Sequence, residues 1–209
     1  MLLVNHTISD FVEILGSDSP APGGGSTAAL QGALGTALLK MIGLLTTGRA
    51  KYAEHQDYID TLLKETEKIK VEFLKVIDED TEAFNQVSAV FTMPKETDED
   101  KLARKNAMQE ALKACTKTPY KMMQLCKRAT ELIENAVEKT NPNTASDLGV
   151  AVLCLKASAQ GAWLNILINI DGITDKAFVD EYRKGGEDVL AKVLPTADRV
   201  YESVLENLN

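Results

Sequence analysis

Apolar residues recur every three or four positions along most of this chain, which is the spacing of amphipathic helices. The clearest case is Gln56–Phe91, and a second amphipathic helix is expected to follow Thr97. Alternating apolar and polar residues bounded by turns, which indicate strands, are nearly absent. The pattern therefore predicts an all-α fold. The apolar positions of the first long helix are Ile59, Leu62, Ile69, Phe73, Val76, Ile77, Phe84 and Val87.

Two other helices are apolar on nearly every side. They cover residues 27–46 and 146–170, and helices of this kind are usually buried. A short helix at 9–15 precedes them, and an amphipathic helix over about 178–205 ends the chain. We predict a single domain, residues 1–209, built as a multi-helix bundle with two central apolar helices.

Three local features can also be predicted. Thr97 and Asp100 have the spacing of a capping box, so a helix is expected to begin there. Pro119 lacks a backbone N–H and should bend that helix. Small residues recur along the first apolar helix and predict a close crossing with another helix; they are Ala28, Gly32, Gly35 and Thr36.

The two apolar helices raise the question of a membrane, because a span needs roughly 20 apolar residues. Polar residues or glycine interrupt both helices, and neither has the flanking aromatic and basic residues that anchor a span. We therefore expect a soluble bundle without a membrane partner, whose glycine- and alanine-rich helix can also meet a second subunit. The interrupting residues are Gln31, Gly32, Lys156, Gln160, Asn165 and Asn169.

The 209 residues include 23 basic and 31 acidic side chains, so the net charge is −8 at pH 7. Nucleic acids and anionic membranes select basic surfaces, which argues against either as the main partner. Three cysteines without a Cys-x-x-Cys pair, and an N-terminus without a signal-peptide pattern, are typical of a reduced cytoplasmic protein. With only His6 and His55, a metal site or a serine–histidine relay is not expected.

Asp80 is a polar residue on an apolar helix face. It lies three residues after Ile77 and four before Phe84, so a continuous helix carries its carboxylate within the buried stripe. A buried carboxylate needs a partner or a chemical role. A structural ion pair or hydrogen bond and a catalytic role are both open at this point.

Asp147 and two asparagines mark the second apolar helix. Asp147 lies three residues after Thr144, which is the spacing of a capping box, and an acidic residue in a first turn suits the helix dipole. Asn165 and Asn169 share one helix face, where they can bind a ligand or a neighbouring helix. Helix capping and catalysis therefore both remain open for Asp147.

A glycine-rich turn precedes the first apolar helix, and two cations follow that helix. The turn can present free N–H groups to an anion or a carbonyl group, or it can simply change the chain direction. It is not a nucleotide P-loop, because no strand precedes it and no Gly-Lys-Ser/Thr follows. Arg49 and Lys51 either complement the helix dipole or bind an anionic group. The candidate donors of the turn are Gly23, Gly24, Gly25 and Ser26.

These motifs, in this order, resemble the cyclodeaminase/cyclohydrolase family that acts on one-carbon derivatives of tetrahydrofolate. The family includes the C-terminal domain of formiminotransferase-cyclodeaminase and free-standing bacterial relatives. No single motif is diagnostic, but the ordered matches span nearly the whole chain. They are Pro20-Ala21-Pro22-Gly23-Gly24-Gly25-Ser26, Leu45-Thr46-Thr47-Gly48-Arg49, Asp78-Glu79-Asp80-Thr81-Glu82-Ala83-Phe84, Met93-Pro94-Lys95-Glu96-Thr97, Ser146-Asp147-Leu148 and Asn165-Ile166-Leu167-Ile168-Asn169.

The resemblance implies an all-helical homodimer that binds folate in a cleft and needs neither a metal nor another cofactor. It also implies that side chains move protons at the methenyl bridge. With two histidines available, we assign this role to Asp80 and Asp147, one activating water and the other stabilising the cationic bridge. The folate-binding residues expected in the same way are Gly23, Gly24, Gly25, Ser26, Arg49, Lys51, Asn165 and Asn169.

Two reactions fit this resemblance. A cyclohydrolase adds water to 5,10-methenyltetrahydrofolate and opens it to 10-formyltetrahydrofolate, whereas a cyclodeaminase forms the same bridge from formiminotetrahydrofolate by releasing ammonia. Because the chain begins at the cyclodeaminase-like domain, we expect methenyltetrahydrofolate cyclohydrolase and keep formiminotetrahydrofolate cyclodeaminase as the alternative. A non-enzymatic helical adaptor is a more distant alternative, which leaves Asp80 and the glycine-rich turn unexplained.

Overall fold

The computed structural model describes residues 2–208, and these residues form an all-helical bundle. None of the described residues lies in a β-strand, so the predicted fold class is confirmed. The α-helices are α1 (Ile8–Leu15), α2 (Gly24–Leu44), α3 (Gln56–Phe91), α4 (Asp98–Glu134), α5 (Ala145–Ile170) and α6 (Lys176–Leu208), with 3-10 turns at Leu3–Asn5, Ala50–His55 and Pro142–Thr144.

The starts of α4 and α5 test the capping boxes that the sequence suggests at Thr97 and Thr144. Thr97 caps α4 in the predicted capping box, with the Asp100 N–H 3.0 Å from Thr97 Oγ1 and the Thr97 N–H 3.0 Å from Asp100 Oδ2. The capping box expected at α5 is wrong, because the Thr144 side chain caps no helix N–H. Its Oγ1 instead donates to the Asn141 carbonyl at 2.7 Å, within the 3-10 turn that leads into α5.

Helix α2 begins three residues earlier than predicted, at Gly24, with Gly23 as its N-cap. The glycine-rich sequence was interpreted as a turn because glycine is a poor helix former. The Gly23 carbonyl nevertheless accepts hydrogen bonds from the Thr27 N–H at 3.1 Å and from Thr27 Oγ1 at 2.9 Å. Helix α2 therefore begins with two glycines, Gly24 and Gly25, which leave room for another group to approach it closely.

The predicted close helix crossing is present and involves two neighbours of α2. A Cβ atom on Gly32 would lie 2.3 Å from the Phe73 ring of α3, and one on Gly35 would lie 2.7 Å from the Ala151 carbonyl of α5. Near the start of α2, Ala28 packs instead against Gly161, ten residues further along α5. Helices α2 and α5 are therefore antiparallel.

The apolar helices α2 and α5 are less central than the sequence suggests. By length and composition both could cross a membrane, yet only 50% and 39% of their most apolar windows are buried inside the bundle. Each has one side that the rest of the described chain leaves exposed. The large apolar residues of this side, here called the outer apolar face, are Leu34, Leu44, Leu45, Val150, Leu153, Leu164 and Ile168.

Candidate active site

A cavity of about 370 Å³ lies where the start of α2 meets α3, α4 and the last turns of α5. It brings together six of the residues that the sequence singled out, from three separate segments of the chain. Its volume is at the lower end of the range that small-molecule sites occupy. The lining residues are Pro20, Ala21, Gly23, Gly24, Gly25, Asp80, Phe84, Leu112, Cys115, Asn165, Ile168 and Asn169.

Asp80 is the carboxylate of this cavity, and Ser26 is its direct partner. Ser26 Oγ lies 3.0 Å from Asp80 Oδ2, 3.1 Å from the Ile77 carbonyl oxygen and 3.3 Å from Thr81 Oγ1. Burial raises the pKa of Asp80 above its usual value, and hydrogen bonds from the Ser26 hydroxyl and N–H offset part of that rise. A carboxyl group with a raised pKa is suited to exchanging protons with a substrate.

Gly25 allows α2 to touch the carboxylate. A Cβ atom at this position would lie 2.1 Å from Asp80 Oδ1 and 2.6 Å from Asp80 Cγ, so any other residue would displace the acid. The neighbouring Gly24 is less crowded, since its Cβ would lie 3.7 Å from Asn165 Nδ2. Gly25 is therefore needed for close contact with Asp80 rather than for an unusual backbone angle.

The N-terminal end of α2 faces the cavity and carries a partial positive charge. The first N–H groups of a helix have no partner within the helix, and the helix dipole gives this end a partial positive charge. Gly24 and Gly25 occupy this first turn and line the cavity. A ligand carbonyl or anion can therefore accept hydrogen bonds from the backbone there.

Asn165 and Asn169 form the opposite wall, and their amide groups are held by backbone carbonyls. Asn165 Nδ2 donates to the Gly161 carbonyl at 2.8 Å. Asn169 Nδ2 donates to the Cys115 carbonyl at 2.9 Å and to the Asn165 carbonyl at 2.8 Å. The helix-to-helix bonding that the sequence left open is therefore present at Asn169, and both side chains also line the cavity.

Sequence reasoning missed Phe84 and Cys115 as site residues. Phe84 was expected in the core, but it is exposed and lines the cavity because the buried stripe of α3 shifts to Ala83 and Val90 after Asp80. Burial and the charge of Asp80 raise the pKa of Cys115 to about 11, so its thiol is not a nucleophile at neutral pH. For Phe84, the one signal in the sequence was its position four residues after Asp80.

The structure does not bring Asp147, Arg49 and Lys51 to this cavity within one chain. Asp147 lies 18 positions before Asn165 in α5, which is about 27 Å along the helix axis. The two cations follow the C-terminal end of α2, with Lys51 Nζ 5.5 Å from the centre of the Tyr52 ring. All three residues lie at the opposite end of the antiparallel α2–α5 pair from Asp80.

A larger open groove of about 760 Å³ runs along the other side of α3, but it is a weaker candidate site. Two of its three acidic side chains already have protein partners. Asp78 Oδ1 accepts a hydrogen bond from the Leu3 N–H at 2.6 Å, and Glu79 forms an ion pair with Lys121 at 3.0 Å. Among residues 2–208, no three histidine, cysteine or acidic side chains are grouped closely enough to hold a metal ion.

Comparison with known proteins gives consistent matches. A methenyltetrahydrofolate cyclohydrolase from Methylorubrum extorquens is 40% identical over 98% of this chain and 99% of its own length. The formimidoyltransferase-cyclodeaminase of Rattus norvegicus is 31% identical over 87% of this chain, which spans about a third of the rat protein (34%). The crystal structure of formiminotetrahydrofolate cyclodeaminase from Thermotoga maritima has the same fold, with a TM-score of 0.89 and 23% identity over 98% of both chains.

The family described as formiminotransferase-cyclodeaminase matches residues 7–188, a stretch that contains every residue of the cavity. The match therefore covers most of the chain as well as the site. With the extensive similarity to the M. extorquens protein, it shows that this chain belongs to the formiminotransferase-cyclodeaminase family.

Proposed function

We propose that this chain is a methenyltetrahydrofolate cyclohydrolase of one-carbon metabolism, which hydrolyses 5,10-methenyltetrahydrofolate to 10-formyltetrahydrofolate. The observation that carries the proposal is the 40% identity to the M. extorquens cyclohydrolase over nearly the full length of both chains. Formiminotetrahydrofolate cyclodeaminase is the second candidate, because the T. maritima protein of almost the same extent has that name. A cyclodeaminase-like region of this extent therefore fits either reaction.

Asp80 is the residue that we assign to proton transfer. The methenyl bridge is a cationic carbon between two nitrogens, so water adds to it once a base removes a proton. A carboxylate close to the bridge also stabilises the cation before the reaction. Hydrolysis then breaks one carbon–nitrogen bond, leaves a formyl group on the other nitrogen and releases one proton. Ser26, which donates to Asp80, keeps the carboxylate oriented toward the cavity.

The remaining cavity residues match the pterin ring of a folate. The ring carries both N–H donors and a carbonyl acceptor. Helix α2 offers backbone N–H groups, while Asn165 and Asn169 offer side-chain amide oxygens on the opposite wall. We propose that no cofactor takes part, because water, the folate and these side chains account for every atom in the reaction.

The absorbance of methenyltetrahydrofolate tests the proposed function. Adding the protein should speed the loss of this absorbance well beyond the rate in buffer, with 10-formyltetrahydrofolate as product. A rate equal to that of buffer would contradict an enzymatic function on this substrate. It would favour the cyclodeaminase or the helical adaptor.

We further propose that the protein is a homodimer joined through its outer apolar face. Leu164 is 65% exposed and Ile168 is 75% exposed in the single chain, which is unusual for large apolar side chains on one helix face. Ile168 also lines the cavity, so a second copy on this face would cover the mouth of the site. A cytoplasmic dimer without a membrane or nucleic acid partner agrees with the three free cysteines and the acidic composition.

The orientation of the two copies determines which residues meet. A two-fold axis parallel to α2 and α5 would bring the Arg49 and Lys51 residues of both copies together, and like charges repel. An axis perpendicular to these helices places the cavity end of one copy against the opposite end of the other. Asp147, Arg49 and Lys51 of the second copy then approach Ile168 at the cavity mouth. We favour the perpendicular axis, which assembles all the expected site residues.

Light scattering tests the dimer. The wild-type protein at micromolar concentration, without detergent, should have twice the mass of one chain. Leu164→Glu should give a folded monomer, because this side chain is exposed in the single chain and its replacement costs no internal packing. A monomeric wild type would contradict the dimer, and recovery only in membranes or detergent would favour a membrane-bound state.

A mixed dimer tests whether Asp147 acts across the interface. Asp147→Asn should unfold with nearly the wild-type free energy, since asparagine also suits a helix start, but it should lose turnover. A dimer of one Asp80→Asn chain and one Asp147→Asn chain, purified through two different tags, contains one intact site. It should recover about half of the wild-type turnover. If Asp147→Asn alone keeps full turnover, this residue serves only the start of α5.

A further inference from the structure

Pro119 lies buried inside α4, one helical turn after Cys115, and it removes one hydrogen bond of that helix. In a regular helix the N–H of residue 119 would donate to the Cys115 carbonyl, but proline has no N–H. The proline ring also crowds this carbonyl and keeps it from aligning with the helix axis. The Cys115 carbonyl is therefore available to a donor from outside α4.

Asn169 of α5 is that donor. Its Nδ2 lies 2.9 Å from the Cys115 carbonyl oxygen and 2.8 Å from the Asn165 carbonyl oxygen, so both N–H bonds of the amide are used. With nitrogen and oxygen exchanged, the amide oxygen would face two carbonyl oxygens, which do not donate. These two contacts therefore fix the orientation of the Asn169 amide.

The side-chain oxygen of Asn169 is left for a ligand. No described residue donates a hydrogen bond to Oδ1, although every buried side-chain nitrogen or oxygen among the described residues has a partner. This oxygen is therefore accessible to solvent, and Asn169 lines the cavity. Asn165 differs, because its Nδ2 makes one hydrogen bond, to Gly161 at 2.8 Å, and keeps a second N–H. Asn169 thus offers the cavity only an acceptor.

We propose that Pro119 is a positioning residue, which opens the Cys115 carbonyl so that Asn169 is held with its side-chain oxygen ready to accept an N–H of the pterin ring. This inference rests on the proposed function, which supplies the folate. The pterin ring carries N–H donors, whereas the carboxylates of the glutamate tail only accept hydrogen bonds. A fixed acceptor at this wall of the cavity therefore suits the pterin ring and not the tail carboxylates.

Pro119→Ala tests the proposal, and Pro195→Ala is the matched control. Pro195 also lies inside a helix, but no side chain of a described residue donates to the carbonyl of Ala191, four residues before it. Alanine at position 119 restores the helix N–H and removes the ring that crowds the Cys115 carbonyl. The Kd of tetrahydrofolate, measured by calorimetry, should rise about three- to tenfold, as for the loss of one hydrogen bond. The Tm should not fall, and Pro195→Ala should keep the wild-type Kd.

A double-mutant cycle shows whether Pro119 acts through Asn169. In an Asn169→Ala background, Pro119→Ala should cause no further change in Kd. An unchanged Kd in the single variant, or an equal rise in both backgrounds, would overturn the proposal, as would a rise in Kd accompanied by a lower Tm. Tetrahydrofolate has no methenyl bridge, so this comparison does not require turnover. A wild type that binds tetrahydrofolate but leaves methenyltetrahydrofolate unchanged would contradict only the proposed function.

Discussion

Asp80→Asn should lower the turnover of methenyltetrahydrofolate by roughly 10²–10⁴-fold, the usual contribution of a general acid–base group. Asparagine keeps the shape of the side chain and its hydrogen bonding to Ser26, which lies 3.0 Å away, but it cannot exchange a proton at neutral pH. Absorbance assays at saturating substrate measure the loss. The matched control is Asp78→Asn, on the same helix but outside the cavity, which should keep wild-type turnover. Equal activity of Asp80→Asn and wild type would remove Asp80 from the chemistry.

The stability of the same variant should change in the opposite direction. Because burial raises the pKa of Asp80 in the folded state, the folded protein binds this proton more tightly than the unfolded chain does. The stability that this tighter proton binding gives the folded protein is present below the usual carboxyl pKa. It is lost as the pH rises through the raised pKa of Asp80 in the folded state. Asp80→Asn should therefore have a higher Tm than wild type at neutral pH. The difference should shrink in acid, where Asp80 is protonated in both states.

Gly25→Ala should reduce turnover by about 100-fold or more, because misplacing a catalytic group by about 1 Å has effects of this size. The added methyl carbon would lie 2.1 Å from Asp80 Oδ1, a distance that forces the carboxylate or the start of α2 to move. No charge or hydrogen-bonding group is removed by this change. The loss would therefore report the relative position of Asp80 and the start of α2, not the removal of a functional group.

Substitutions at two other glycines serve as controls for Gly25→Ala. Gly24→Ala should lose less activity, since its methyl carbon would lie 3.7 Å from Asn165 Nδ2, an ordinary contact. Gly16→Ala, at the end of α1 and outside the cavity, should keep wild-type turnover. Far-ultraviolet circular dichroism checks that all variants remain helical. Full turnover in Gly25→Ala would contradict the close packing of α2 on Asp80.

Local signals explain why much of the fold could be predicted. The bounds of α3 and the capping box at Thr97 depend on residues close together in the chain, and both were predicted correctly. The composition of the cavity could be predicted only in part. Gly25 and Asp80 are 55 residues apart in the sequence, as Cys115 and Asn169 are 54 apart, and a periodic pattern within one helix does not reveal which helices meet.

The apolar helices also show that a sequence pattern does not reveal which neighbour covers each side of a helix. A helix that is apolar on every side indicates only that each side avoids water. For Gly32 the neighbour is Phe73 of the same chain, so Gly32→Leu would disrupt the bundle rather than test a dimer. Leu34 and Leu164, in contrast, are left 50% and 65% exposed by the described chain. Pro119 was likewise predicted only as a bend, since its effect on Asn169 depends on a second helix.

Steady-state rates on both one-carbon folates test the central claim most directly. The wild-type protein should hydrolyse methenyltetrahydrofolate with a larger kcat/KM than that for ammonia release from formiminotetrahydrofolate, and Asp80→Asn should lose the hydrolysis. Efficient ammonia release with negligible hydrolysis of the methenyl compound would contradict the proposed cyclohydrolase. It would assign the same cavity to the cyclodeaminase reaction.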